Sequence, residues 1–413
     1  MRTRYSNLTM SVLLATAAML PVRAQGTLTL SDAVALAQQR APARLAGEAA
    51  LRAADAGVDA AALRPNPSLS YEAENVFGSG RYAGFGGAER TISLSVPLEL
   101  GGKREARRQV AQAERAAVSL GVAASRAEVT QQATEAFIAT AAAERRIAAA
   151  HTGLELAERA AHAAHERVRS GKASPIEEQR ADVERINAQV KLGKAERALA
   201  LAQADLARIT GSAAPFTITA QWFELAEPRR FQSEPGELPA VAAAQAQVSA
   251  ADARVAAARR DRIPDLTLTA GMRRYGDSSD KAAVLGVSIP LPLFNQGTAA
   301  LAKTRAEYDR ALAERDAVAQ ETSRALAHAE AEVQDALAVA RAAKGPVLAA
   351  AEEAARIARI GYVEGKFPQL ELIEAERSLS ETRETAVDAL TTFHLAHARL
   401  ARLRGSTNPI YKD

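Results

Sequence analysis

Cysteine is absent from all 413 residues. That excludes a disulfide framework and a thiolate-held metal, and it predicts that no lipidated cysteine anchors the mature N-terminus. Aromatic residues make up 4% of the chain while 48% is hydrophobic, much of it alanine. Such a composition excludes the bulky interior of a globular enzyme and suits helices that approach along small side chains. Neither sign of charge dominates: 52 basic and 49 acidic residues leave a net charge of +3, so no nucleic-acid footprint is implied. Long apolar runs are scarce too. The exception, Leu8 to Leu20, is shorter than the ~20 residues of a spanning helix. With Arg2 and Arg4 before it and Val22-Arg23-Ala24 after it, the run has the form of a secretory signal, residues 1–24, cleaved after Ala24. A membrane anchor is the alternative, and the short run argues against it.

Two segments alternate apolar and polar residues around a Gly-rich loop, giving a β-hairpin over 68–100. Leu69, Tyr71, Ala73, Asn75 and Phe77 fall on one face of the first segment. On the return, Ile92, Leu94, Val96, Leu98 and Leu100 oppose Thr91, Ser93, Ser95 and Glu99. Period-two alternation marks strands with unlike faces. The loop, Gly78 to Gly87, is not a phosphate loop, because no Gly-Lys-Ser/Thr follows and it opens no helix. Around the hairpin the reading is helical. A short helix begins near Leu28, with Ser31 as N-cap, and a second runs from Pro42 to about Leu63. From Lys103 no proline occurs until Pro175, which predicts a helix about 100 Å long. A return helix follows from about Ile176 to Thr210.

The plan then repeats. Ser95-Val96-Pro97-Leu98 matches Ser288-Ile289-Pro290-Leu291, Gly171-Lys172 matches Gly365-Lys366, and Arg208-Ile209-Thr210-Gly211 matches Arg402-Leu403-Arg404-Gly405. A near-constant spacing of about 194 residues signals an internal duplication. The expected organisation is a first repeat over 25–211, a connector over 212–239 and a second repeat over 240–405. That second repeat carries its own hairpin over 265–293, and residues 406–413 form a C-terminal tail. Within the connector, Pro215 to Leu225 reads as strand-like.

Four strands of about ten residues with one apolar face suit a membrane-spanning β segment. An open sheet cannot sit in hydrocarbon, because its edges leave backbone groups unpaired. Several chains must therefore pool their strands into one closed barrel, in a number the residues do not give.

With its duplicated plan, the whole mature chain resembles the TolC-like outer-membrane efflux family. Two joints, Pro97-Leu98-Glu99-Leu100-Gly101-Gly102-Lys103-Arg104 and Pro290-Leu291-Pro292-Leu293-Phe294-Asn295-Gln296-Gly297, are similar to those of the CzcC type of heavy-metal efflux channel. The resemblance implies a mainly α protein with a transmembrane β-barrel portion. It implies a homotrimer, with a 12-stranded barrel in the outer membrane continued by a 12-helix tunnel through the periplasm. Residues 212–239 would fall in a mid-tunnel equatorial layer.

The resemblance also implies site residues. The breaks Gly171-Lys172-Ala173-Ser174-Pro175 and Gly365-Lys366-Phe367-Pro368 would be periplasmic tips that meet a periplasmic adaptor (membrane fusion protein); read from residue types alone, they are αα turns. Glu371 and Glu374, at i and i+3, would ring a periplasmic gate, with Arg180 at the matching position of the first half; the plain alternative is a solvated helix face. Gly101, Gly102, Lys103 and Arg104 would join barrel to tunnel. The cluster Lys103, Arg104, Arg107 and Arg108 suits either the periplasmic edge of the bilayer beside head groups or a solvated turn. The pairs His162/His165 and His394/His397 read as surface histidines and not as a metal site.

No nucleophile–base pairing, metal-ligand spacing or nucleotide motif stands out, so no catalytic residue, metal or cofactor is expected. The reading is a passive conduit, energised by a proton-driven inner-membrane pump of the RND type and exporting heavy-metal cations. A drug-efflux or type I secretion conduit is the alternative within the class. A periplasmic coiled-coil adaptor is the alternative outside it, and adaptors carry one hairpin where this chain has two.

Overall fold

The order of elements repeats along the chain. In the computed structural model, which describes residues 27–212, 216–227, 238–278, 280–408 and 411, the first half comprises α1 (Leu30–Arg40), α2 (Pro42–Ala61), β1 (Ser68–Glu74), β2 (Glu89–Leu98), α3 (Lys103–Arg169) and α4 (Pro175–Thr210). The second comprises α5 (Pro239–Arg260), β3 (Leu266–Arg274), β4 (Lys281–Ser288), α6 (Thr298–Ala342), α7 (Leu348–Val363) and α8 (Gln369–Leu403). The expected signal segment and residues 228–237 of the connector lie outside the described residues.

Alanine-rich sequence without proline lets α3 run unbroken for 67 residues, about 100 Å at 1.5 Å per residue. Helices α2 and α4 lie end to end along it. Between them sits α1, whose last residue, Arg40, donates to the Gly211 carbonyl just beyond α4 at 2.6 Å. In the second half, α5 and α8 lie along α6 and α7 in the same manner. That second long helix is not continuous. Ala343–Val347 forms a π turn in which Gly345 leaves the helical region (φ −90°, ψ −106°) and Pro346 follows. Proline offers no N–H to the turn before it, so the ladder widens there.

The four strands form one antiparallel sheet in the order β1-β2-β3-β4. The two hairpins join through β2 and β3, where Leu94 faces Ala270. Leu69, Tyr71, Ile92, Met272, Leu285 and Val287 project from one face and are exposed. The other face is polar: Ser70 and Ser93 share a hydrogen bond of 2.8 Å, and Ser95 and Thr269 one of 2.9 Å. Both β1 and β4 have a free edge in the single chain.

Several boundaries differ from expectation. β1 stops at Glu74, because Asn75 takes φ 58°, and so does not reach Phe77. β4 stops at Ser288 and not Leu293, since Pro290 and Pro292 cannot donate to a ladder. Thr29, not Ser31, caps α1, in a capping box with Asp32. Within the expected strand-like stretch Pro215 to Leu225, the described residues 216–225 form no strand. They make one bridge, Ile218 to Leu28, and a 3-10 turn over Gln221–Glu224.

The main core lies halfway along α3. There Phe137 and Ile138 meet Trp222, Phe223, Phe393 and Tyr411. Trp222 and Tyr411 stack with ring centres 4.1 Å apart and planes 3° from parallel. His394 and His397 belong to this core and are 0% and 1% exposed, which corrects their reading as surface histidines. They fall on the buried stripe of α8 with Leu390, Phe393 and Leu400. His394 uses both nitrogens, Nδ1 with the Tyr411 hydroxyl at 2.6 Å and Nε2 with the Phe223 carbonyl at 2.9 Å. His162 and His165 are exposed, as expected.

Candidate functional site

The two helical turns that close the long hairpins are built alike. After α3, the Lys172 amide donates to the Arg167 carbonyl at 2.8 Å and Gly171 to Val168 at 3.0 Å. After α7, Lys366 donates to Gly361 at 2.8 Å and Gly365 to Tyr362 at 3.1 Å. This is the Schellman pattern, which needs a left-handed residue after the helix. Gly171 and Gly365 supply it at φ 71° and 74°. The returning helices start differently. Pro175 opens α4 behind Ser174, whose hydroxyl caps Ile176, whereas Pro368 precedes α8 without a side-chain cap. Lys172, Ser174, Pro175, Lys366, Phe367 and Pro368 are exposed, and Ala173 is half-buried.

Side chains the sequence reading did not single out bring these turns together. Gln369, buried at the start of α8, donates from Nε2 to the Glu177 carbonyl in α4 at 2.8 Å. The Arg167 guanidinium lies 4.8 Å from the centre of the Tyr362 ring. Burial pushes the Tyr362 hydroxyl above its ordinary pKa, against the nearby Arg167 charge. Phe367 folds back over Gly361, where an added Cβ would come within 2.2 Å of its ring. Gln369 follows Pro368 with no periodicity to mark it. Tyr362 was findable, as it shares an apolar stripe with Ala358 at i−4.

Glu371, Glu374 and Arg180 are all exposed, and among the described residues none forms an ion pair within the chain. Among the described residues no ion pair links Glu371 or Glu374 to Arg180, and the Gln369–Glu177 bond ties the two turns instead. Neighbouring carboxylates do have partners. Glu376 accepts two bonds from Arg359, fastening α7 to α8, and raises its pKa. Glu178 lies 2.7 Å from His165 Nδ1, and its hydrogen bond raises the pKa of that imidazole.

At the other end of α3, Gly101 and Gly102 take φ 71° and 75° in succession and turn β2 into the helix. A Cβ on Gly101 would meet Ile263 Cδ1 at 2.4 Å, so the corner demands glycine twice over. The cations beside it are not a free patch. Lys103 Nζ lies 2.8 Å from Asp265, and Arg107 forks onto Glu99. Arg104 donates to the Ala62 carbonyl and Arg108 pairs with Glu105 at 3.1 Å. This neutralisation offsets the helix dipole, which disfavours cations at a helix start.

Midway, Glu224 ties three segments together. It lies 2.8 Å from Arg145 of α3 and 2.8 Å from Lys344 of the π turn. Burial pushes its pKa up, but hydrogen bonds from Lys344 and Arg145 outweigh that and leave it below the ordinary value. Among the described residues no group of three or more His, Asp or Glu could hold a metal ion, and no helix is long and apolar enough to cross a membrane.

Comparison with known proteins places these features in context. The model of the family described as outer membrane efflux protein matches residues 33–212 and 236–406. The cobalt-zinc-cadmium resistance protein CzcC of Cupriavidus metallidurans is 32% identical over 390 residues, spanning 93% of this chain and 92% of that protein. Among solved structures, CusC superposes with a TM-score of 0.76 at 18% identity, covering 91% of this chain and 92% of CusC. The outer membrane protein VceC of Vibrio cholerae gives 0.73 at 22% identity, covering 92% and 97%.

Proposed function

The chain belongs to the outer membrane efflux protein family, and from that premise we propose that it is the exit duct of a tripartite pump for heavy-metal cations of the cobalt, zinc and cadmium class. It works as a homotrimer, with four strands from each chain closing the barrel and the long helices continuing it as a periplasmic tunnel. One observation carries the conduit: a sheet with an apolar exposed face, a polar opposite face and two free edges is fused to helices about 100 Å long. The kinship with CzcC over nearly the whole chain supports the choice of cargo.

Within this reading the twin turns at Gly171 and Gly365 dock a periplasmic adaptor, which joins the duct to a proton-driven inner-membrane pump. The exposed Glu371 and Glu374, three copies of each, form a negative collar at the closed entrance. A collar of that sign concentrates divalent cations. The duct performs no chemistry of its own.

The test is a deletion strain challenged with cobalt, zinc, cadmium and copper, and separately with hydrophobic drugs. Restored metal tolerance on complementation supports the proposal, whereas restored drug tolerance alone assigns the duct to a drug pump. Gly171→Val and Gly365→Val together should abolish complementation while heat-modifiable trimers still form. Loss of the trimers would make these glycines structural only.

A further inference from the structure

At the end of the sheet remote from the helices, one row of outward positions changes from apolar to cationic. Arg90 on β2 pairs in register with Arg274 on β3, and Arg274 pairs with Lys281 on β4. All three are exposed. They alternate in phase with the apolar face, so the rows beneath them hold Tyr71, Ile92 and Met272, then Leu69, Leu94 and Leu285. Like charges directly opposite one another destabilise a sheet, with Cβ atoms only about 5 Å apart. Three in a row need a counter-charge.

Ion pairs among the described residues do not supply it. Among the described residues no carboxylate forms an ion pair with Arg90, Arg274 or Lys281, although carboxylates are close by and occupied elsewhere. Arg273, one residue away on the polar face, is held between Glu74 at 2.8 Å and Glu89 at 2.9 Å. Asp277 lies 3.6 Å from Arg81 in the first loop. Asp280, beside Lys281, accepts from Ser278 at 2.9 Å. Cations on the polar face are thus neutralised from within, and those on the apolar face are left for something outside the chain.

Their height along the strand says what that is. From Leu98 to Arg90, β2 rises about 27 Å at 3.4 Å per residue, and a barrel tilt of about 40° reduces this to roughly 20 Å along the membrane normal. The cations therefore sit at the outer rim of the apolar band, level with lipid phosphates. Two guanidinium forks and an ammonium in one row match the several acceptor oxygens of a phosphate monoester. The site is also flush with the apolar face, so acyl chains attached to that phosphate lie on Ile92, Leu94 and Met272.

We propose that Arg90, Arg274 and Lys281 form a site on each chain for the phosphate groups of the phosphorylated glycolipid, lipid A, of the outer leaflet. The inference rests on the reading that the sheet spans the outer membrane. Detergent-purified trimers, titrated with bisphosphorylated lipid A and followed by native mass spectrometry, test it. Wild-type trimers should bind it, and dephosphorylated lipid A should bind about tenfold more weakly. The triple variant Arg90→Gln, Arg274→Gln, Lys281→Gln should lose binding to a similar extent, and the charge-preserving triple variant Arg90→Lys, Arg274→Lys, Lys281→Arg should retain most of it. Equal binding of the dephosphorylated lipid, or full retention by the glutamine variant, overturns the proposal. Displacement of the lipid by millimolar inorganic phosphate would assign the row to free phosphate and overturn it too. Should the glutamine variant fail to assemble, the comparison of the two lipids on wild-type trimers decides by itself. Recovery of the wild-type chain as a soluble monomer would refute the membrane reading itself, an outcome distinct from trimers that ignore lipid A.

Discussion

Gln369 Nε2 donates to the Glu177 carbonyl at 2.8 Å, tying the first residue of α8 to the first turn of α4. Replacing it with alanine removes a buried bond of about 1 kcal/mol between hairpins otherwise held there by Arg167 over Tyr362. Gln369→Ala should therefore raise resting conductance in planar bilayers several-fold with trimers intact. Conductance equal to wild type would mean that this bond does not restrain the entrance.

Glu371 and Glu374 are exposed, and neither forms an ion pair among the described residues. Glu371→Ala combined with Glu374→Ala should reduce block of the channel by added divalent cations by about tenfold. Titrating cobalt against single-channel current measures it, and an unchanged blocking concentration would return both residues to the status of a solvated helix face.

Acid should loosen the main core through His394. Burial holds its pKa down at about 4, with the His397 charge acting in the same direction and the Phe223 carbonyl opposing. The unfolded chain binds this proton more tightly, near the ordinary value of about 6.5. The stabilisation is therefore complete above about pH 6.5 and is lost as pH falls toward 4, by about 3 kcal/mol in all. Thermal unfolding of trimers from pH 7.5 to 4.5 should show the fall, and His394→Gln should flatten it. A slope identical in the variant would place the sensitivity elsewhere.

Lys103 is nearly buried against Asp265, which also accepts from the Leu100 amide at 3.2 Å. Lys103→Met leaves that carboxylate without its cation and should cost about 1–3 kcal/mol. Asp265→Asn should cost less, because it keeps an acceptor for Leu100. A double-mutant cycle by thermal melting gives the coupling, and a value near zero would show that the joint is held by its glycines alone.

What could be read from the residues was whatever is encoded locally. Alternation marked the strands, Gly171-Lys172 and Gly365-Lys366 marked the turns, and recurrence of both exposed the duplication. The π turn was legible in principle, since Pro346 interrupts a helical stretch, but the pairing of Lys344 there with Glu224 of another segment was not. His394 and His397 lay on a readable stripe with Leu390 and Phe393. Their burial nevertheless needed Trp222, which arrives from a remote part of the chain, and Tyr411, which folds back from beyond the end of α8. The Gln369–Glu177 bond had no sequence signal, because it joins residues nearly 200 positions apart.

The sheet has two unlike edges, β1 on one side and β4 on the other. Chains that close a ring from it must join head to tail, each β4 meeting the next β1, so the contact is heterologous and the ring has a direction. A chain spoiled along β1 still offers a sound β4. It can enter a growing ring, satisfy one neighbour and leave the last gap unclosable. Co-expressed with normal chains, such a chain would remove more channels than its own share of the population.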